Sequence, residues 1–374
     1  MRELAAVFLA LGATAFGGPA AHIALMEREL VERRRWIDRR DFLDLLAVAN
    51  LIPGPTSTEL AMHVGRRRGG WPGLVVAGVA FILPAALMVG VLAALYVRYG
   101  PTPVVGSVLA AVQPVVVIVV LQAIVPLGRA AITSVATAAV AVAAALAAPF
   151  LGEIAVLIAA GVVMLLVARR PRAAAGAAAL VAALVGGVVV LAQSAGGVSV
   201  TLPDVAAYFA RVGSLLFGSG YVLLPVLQGD LVERLGWLTD RQLLDAIATG
   251  QATPGPLFTT ATFIGYLLAG SAGAVVATVA MFTPAFIASA LSTLGYERLR
   301  HSAAARRFLD GVNAAAVALI VVVLITLARS SWTSWTAALL AVAAAVALFV
   351  YRMSSALVLA TAAVAGVILS LLRG

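Results

Sequence analysis

Long apolar runs alternate with short polar connections along the whole chain, and few stretches carry the one-sided apolar stripe of a water-soluble helix. A membrane span needs about 20 mostly apolar residues. About thirteen segments meet or nearly meet that length: 4–26, 42–65, 71–97, 103–127, 130–150, 153–168, 173–193, 204–227, 242–268, 271–294, 307–328, 332–350 and 354–372. They predict an all-α polytopic membrane protein, and the short connections leave no room for a soluble domain of ordinary size. The stretch from Glu27 to Asp41 is the one long charged connection. Four segments are interrupted, by Phe16-Gly17-Gly18-Pro19, Pro53-Gly54-Pro55, Phe217-Gly218-Ser219-Gly220 and Pro254-Gly255-Pro256. A Pro-Gly-Pro removes two amide donors and restricts the residue before each proline, so a helix must stop there.

Composition agrees with the pattern. Hydrophobic residues make up 63% of the 374 and charged residues 11%, against about 45–50% and 25% in soluble domains; the mean hydropathy is +1.09. The 25 basic residues are all arginine and outnumber 16 acidic ones. In a bilayer such an excess speaks of topology and anionic headgroups, with no nucleic-acid partner implied. Cysteine is absent, which excludes disulfides and thiolate metal sites. Arg2-Glu3 followed by Gly17-Gly18-Pro19 without an A-x-A site does not read as a removable signal peptide.

The interruptions recur in register. Phe16/Phe217, Trp36/Trp237, Asp44/Asp245 and Pro53/Pro254 are each 201 residues apart, and Gly65/Gly265, Gly73/Gly273, Pro84/Pro284, Gln113/Asn313 and Arg129/Arg329 are each 200 apart. Both copies open their second segment with a capping signal, Thr239 with Gln242 and Asp38 with Asp41. Arginine counts set the orientation, because cytoplasmic loops are rich in Lys and Arg. The first two loops of the first copy hold Arg28, Arg33, Arg34, Arg35, Arg39 and Arg40, then Arg66, Arg67 and Arg68; the matching loops of the second copy hold Arg234 and Arg241 beside Asp230, Glu233 and Asp240, then nothing basic. The next connection reverses the contrast, with Arg98 alone against Arg298, Arg300, Arg306 and Arg307. Arg169, Arg170 and Arg172 then fall inside. These counts predict two inverted-topology repeats with re-entrant broken helices, the amino terminus inside and the carboxyl terminus outside. The repeats are 1–170 and 201–374, joined by a linking transmembrane helix in 171–200.

Non-helical backbone at membrane depth is tolerated only where protein or a water-filled cavity covers it, and broken helices in inverted repeats mark secondary transporters. After each break a half-helix begins, whose first amides carry the positive end of the dipole. The residues there are small hydrogen-bonding ones, Thr56, Ser57 and Thr58 in the first copy and Thr259 and Thr260 in the second. Gly17, Gly18, Gly54, Gly218, Gly220 and Gly255 would let backbone amides approach a ligand. Hydroxyls and amides without a fixed cation suit a tetrahedral oxyanion that must also leave; packed structural kinks are the bland alternative. Among ionisable residues inside apolar segments, Glu59, His22 and His63 lie beside the breaks and are the candidates for proton coupling. Glu59 is equally a helix-capping carboxylate on this reading, and its spacing from His63 puts the two on one helix face, where they could share a proton. Asp44 and Asp245 read as interfacial caps or gate partners, and Arg129 and Arg329 as residues that snorkel to headgroups.

Phe16-Gly17-Gly18-Pro19-Ala20-Ala21-His22, Asn50-Leu51-Ile52-Pro53-Gly54-Pro55-Thr56-Ser57-Thr58-Glu59 and Gly70-Trp71-Pro72-Gly73 resemble the chromate ion transporter family. So do Phe217-Gly218-Ser219-Gly220-Tyr221, Gly236-Trp237-Leu238-Thr239 and Gly250-Gln251-Ala252-Thr253-Pro254-Gly255-Pro256 with Thr259-Thr260-Ala261-Thr262. The resemblance implies proton-motive export of chromate across the bacterial inner membrane by a multi-pass protein. It adds Asn50, Ser219 and Gln251 to the substrate-binding candidates. Sulfate, a near-isosteric dianion, is the alternative substrate, and a passive anion channel the alternative mechanism. No cofactor or metal is expected, and a homodimer is an assembly this reading allows. With His22, His63 and His301 the only histidines and no H-E-x-x-H or Walker A motif, neither a hydrolytic enzyme nor a direct ATPase is drawn from these residues.

Overall fold

The computed structural model describes residues 1–16, 18–100, 102–167, 200–216, 220–294 and 302–373. The described residues are helical and contain no strand. The first copy runs through α1 (Arg2–Thr14), α2 (Gly18–Met26, prolonged by a wide π-helical turn at Glu27–Arg33), α3 (Arg39–Ala49), α4 (Thr56–Tyr99), α5 (Pro103–Ala131), α6 (Val135–Leu151) and α7 (Glu153–Val167). The second runs through α8 (Leu202–Leu215), α9 (Leu223–Leu227, prolonged at Gln228–Arg234), α10 (Asp240–Ala252), α11 (Thr260–Leu294), α12 (Ala303–Ser331), α13 (Trp335–Ala345) and α14 (Ser355–Arg373). Helix starts follow the caps expected from sequence. Thr239 and Gln242 form a reciprocal capping box, and the Asp38 carboxylate accepts from the Asp41 amide at 2.8 Å, each worth about 1 kcal/mol.

Among the described residues, five helices are long and apolar enough to cross a membrane: Thr56–Tyr99, Pro103–Ala131, Leu257–Ser292, Ala303–Ser331 and Ser355–Leu372. Three shorter apolar ones accompany them, Val135–Leu151, Glu153–Val167 and Trp335–Val350. The first and third broken segments are divided into short pieces, whereas the halves that follow each Pro-Gly-Pro run on into Thr56–Tyr99 and Leu257–Ser292. The expected linking helix at 171–200, with Arg169, Arg170 and Arg172, lies outside the described residues, as do Arg298, Arg300 and His301. The molecule is apolar on its outside as well as its inside. Val75, Val79, Leu83, Leu87, Val91 and Leu95 form an exposed row along one face of α4, four residues apart as helix geometry requires. Such a row suits lipid and would be an aggregation hazard in water.

Helix α4 contains a reversal. Gly70 has φ 64° and ψ −155°, and its counterpart Gly270 in α11 has φ 63° and ψ −153°, a region open to glycine alone. The chain folds back there, so Gly65 abuts the backbone of Gly73 and a side chain at Gly65 would run into Ala77; Gly265, Gly273 and Ala277 repeat the arrangement. Residues 56–68 therefore return alongside 71–99. At the other end of this return, Arg67 pairs with Asp41 at the start of α3. The helix α3, the Pro-Gly-Pro and residues 56–68 form one hairpin whose two ends sit together. The first broken segment does the same, since Arg34 after α2 bonds Glu3 at the start of α1 at 3.0 Å, and Arg68 reaches the same Glu3 at 3.3 Å. Trp36 lies under both guanidinium groups, 4.2 Å from Arg68 and 5.5 Å from Arg34.

The copies interlock. Within each, the first helix packs on the long one, α1 on α4 and α8 on α11, with Gly12 against the Phe81 carbonyl and Gly213 against that of Met281. Between them, α4 packs on α11, and the closing helices cross over: α7 and α6 of the first copy lie on α12, while α14 and α13 of the second lie on α5.

Candidate functional site

The hairpin tips meet at the junction of the copies through two matched backbone bonds. The Gly54 amide donates to the Leu216 carbonyl at 2.8 Å, and the Gly255 amide donates to the Ala15 carbonyl at 2.9 Å. Leu216 and Ala15 are the residues at which α8 and α1 end. Each Pro-Gly-Pro therefore docks on the end of the other copy's first helix, and the positive φ of Gly54 (134°) and Gly255 (96°) permits the approach. Both glycines are tightly covered. A side chain on Gly54 would overlap Glu59 and Ala285, and one on Gly255 would overlap Ala85. Their amides serve the fold, and so are not open to a ligand in this conformation.

The half-helix that begins at Thr56 is buried on every face through Gly65. His22 Nδ1 lies 3.2 Å from Ser57 Oγ and stacks edge-on against Phe81. The Thr56 hydroxyl donates to Asn50 Oδ1 at 3.2 Å. Thr58 and Glu59 are fully buried, and Thr58 Oγ1, both Glu59 oxygens and the Nε2 atoms of His22 and His63 find no hydrogen-bond partner. Buried polar atoms are nearly always satisfied, and here orphans gather on the Thr56 half-helix and on His22 beside it. No hydrogen bond joins Glu59 to His63, although they share a helix.

The second copy is arranged differently. Thr259 and Thr260 turn their hydroxyls back onto the carbonyls of Pro256 and Leu257 at 2.9 and 2.8 Å. Gly220 packs on Leu257. Gln251 accepts a long bond from the Tyr221 hydroxyl at 3.5 Å, and its own Nε2 is unpartnered. Gly17, Gly218 and Ser219 lie outside the described residues.

A cavity of about 430 Å³ lies between the copies. Pro19, Asn50 and Thr56 line it from the first copy, and Tyr221, Asn313 and Ile320 from the second. Gly18 borders it through the Tyr221 hydroxyl, 3.4 Å from where its side chain would begin. Of the sequence candidates, Asn50 and Thr56 line this cavity, Gly18 and Gln251 contact its Tyr221, and Ser57, with His22 against it, follows Thr56 in the chain; Thr259 and Thr260 do not line it. Tyr221 and Asn313 were not singled out for chemistry by sequence; their place in motifs repeated 200–201 residues apart was the only available signal.

Of the two readings of Asp245, the cap is excluded, because Thr239 caps α10 as its own sequence signal predicts. Asp245 is buried and accepts from Tyr96 Oη at 3.0 Å and Gln113 Nε2 at 2.9 Å, so it ties the second copy's hairpin to α4 and α5 of the first.

Residues 2–168 and 203–367 both match the family described as chromate transporter. The chain belongs to the chromate transporter family. Relatives include a chromate transport protein of Cupriavidus metallidurans, 34% identical over 86% of this chain and 80% of that protein. A chromate transport protein of Pseudomonas aeruginosa is 35% identical over 85% and 79%, and a probable chromate transport protein of Synechococcus elongatus 30% identical over 86% and 82%. No solved structure matches. Membership of the chromate transporter family makes the chain an integral membrane transport protein, in keeping with its long apolar helices.

Proposed function

We propose that the protein is a secondary active transporter that exports chromate, a tetrahedral dianion, across the bacterial inner membrane and so confers chromate resistance. The observation that carries this reading is the cavity between the copies at the start of the Thr56 half-helix. Its wall supplies hydroxyl and amide groups and the positive end of a helix dipole without a fixed cation, which holds an oxyanion loosely enough to release it. The names of the Cupriavidus and Pseudomonas relatives supply chromate. We read 1–170 and 201–374 as inverted repeats with re-entrant hairpins, the amino terminus inside and the carboxyl terminus outside. The reciprocal Gly54–Leu216 and Gly255–Ala15 bonds, the crossed packing of the closing helices and the arginine asymmetry support this.

Export of a dianion is favoured by a cytoplasm-negative potential by about 4–5 kcal/mol per 100 mV, equal to about three decades of concentration. Protons are therefore needed only for accumulation beyond that. Glu59, fully buried with no partner, is the group we assign to carry them, with His22 and His63 beside it. In everted vesicles Glu59→Gln should abolish the part of chromate uptake driven by a pH gradient and retain the part driven by potential, since Gln keeps the shape but does not titrate. An unchanged pH profile removes Glu59 from coupling. Uptake that never exceeds the electrochemical gradient of chromate indicates a channel, and equal competition by sulfate widens the substrate class.

A further inference from the structure

A second cavity, about 610 Å³, shares Asn50 and Asn313 with the first and is otherwise walled chiefly by Leu51, Arg306, Arg307 and Asp310. The two asparagines thus stand between two chambers, Asn50 from the first copy's hairpin tip and Asn313 from α12 of the second. Arg306 and Arg307 are exposed in the opening turns of α12. Neither takes part in the ion pairs found among the described residues, which engage Arg33, Arg34, Arg39, Arg67, Arg68, Arg211 and Arg234. Asp310 shares their wall without bonding either. The corresponding positions of the first copy are Gly106 and Ser107. Gly106 lines a smaller cavity of about 270 Å³ in which Gln113, the counterpart of Asn313, is held by Asp245. Among the described residues, a fold built from two like halves therefore carries an unpaired arginine pair at one mouth and the single Arg241, beside Asp245, at the other, and its amide is free at the first and bonded at the second.

We propose that Arg306 and Arg307 form a receiving site for the tetrahedral dianion on the cytoplasmic side, and that Asn50 and Asn313 pass it as a neutral threshold into the Thr56 chamber. This rests on the transport reading given above. Two guanidinium groups over low-dielectric walls raise the local concentration of an anion and speed its capture. Their forked donors match oxyanion geometry. Amides then replace charge by dipoles, so that the ion is held without being trapped. The same guanidinium chemistry would also grip a lipid phosphate.

The test is initial-rate chromate uptake by everted vesicles against concentration and ionic strength. Arg306→Gln with Arg307→Gln should raise KM about tenfold and flatten its salt dependence while Vmax is kept. The paired Lys substitutions should retain most of the wild-type KM, and Asn313→Leu should lower Vmax. The KM difference should be the same in zwitterionic and in anionic lipid. Unchanged KM and salt slope in the Gln variant overturn the receiving site, and so does a difference that appears only in anionic lipid, which assigns the arginines to headgroups. Unaltered protein that takes up neither chromate nor sulfate overturns the transport reading as a whole.

Discussion

Glycine at the loop before α10 is fixed by conformation and at the hairpin tip by crowding as well, and substitution separates the two. Gly236 has φ +61° with nothing within 4 Å of a would-be side chain, whereas Gly255 has φ +96° with Ala85 Cβ at 2.6 Å and the Gly12 carbonyl at 3.2 Å. Gly236→Ala should therefore cost only backbone strain, about 1–2 kcal/mol. Gly255→Ala should add about 1–3 kcal/mol for overpacking and abolish transport by parting the Gly255–Ala15 bond. Thermal unfolding in detergent measures the difference, and equal shifts would mean that the tips are loosely packed. The residues that break the helices were legible in sequence because proline and glycine act on their own backbone. The partners of Gly54 and Gly255 were not, since Leu216 and Ala15 contribute only carbonyls and no side-chain type announces a backbone acceptor. Thr259 and Thr260 were misleading for the opposite reason. A hydroxyl near a helix start looks available, yet it can equally bond its own turn.

The hairpin is the element that the chain builds from those breaks, and its open end is closed by charge. Arg67 with Asp41, and Arg34 and Arg68 with Glu3, join strokes of the chain that run in opposite directions. At side-chain exposures of 54% and 31%, the Arg67–Asp41 pair should show a coupling of about 0.2–1 kcal/mol in a double-mutant cycle of Arg67→Gln and Asp41→Asn. A coupling indistinguishable from zero would leave the Gly70 reversal to hold the hairpin alone. Acid should also weaken the Glu29–Arg34 pair that lies beside the clasp. The hydrogen bond from Arg34 holds the Glu29 carboxyl below the ordinary carboxylate range. Its contribution is thus complete above that range and lost as pH falls through the lowered value. The meeting of the second broken segment's two ends at Arg67 and Asp41 is in keeping with the two adjacent arginine-rich loops. The role of Asp245 was hidden, because a carboxylate near a helix start reads as a cap until Tyr96 and Gln113, 149 and 132 residues away, are seen to converge on it.

On the scale of the whole molecule, the proposed opposed orientation of the copies has a direct readout in a chain with no cysteine of its own. Single cysteines at Arg35 and Arg67 should be shielded from an impermeant reagent applied outside, while one at Gly236 should react. Labelling at Arg67 from outside would place residues 39–68 across the membrane and remove the re-entrant reading. The crossed closing helices carry a further consequence, for biosynthesis. Helix α7 ends at Val167, but its packing partner α12 begins only at Ala303. At 5–20 residues per second this interval is about 7–27 s, during which the first half has left the ribosome with its last helix undocked. α5 waits longer still for α14. Insertion into the bilayer therefore precedes assembly, and the nascent half needs lipid or an insertion factor to cover faces that the second half later claims.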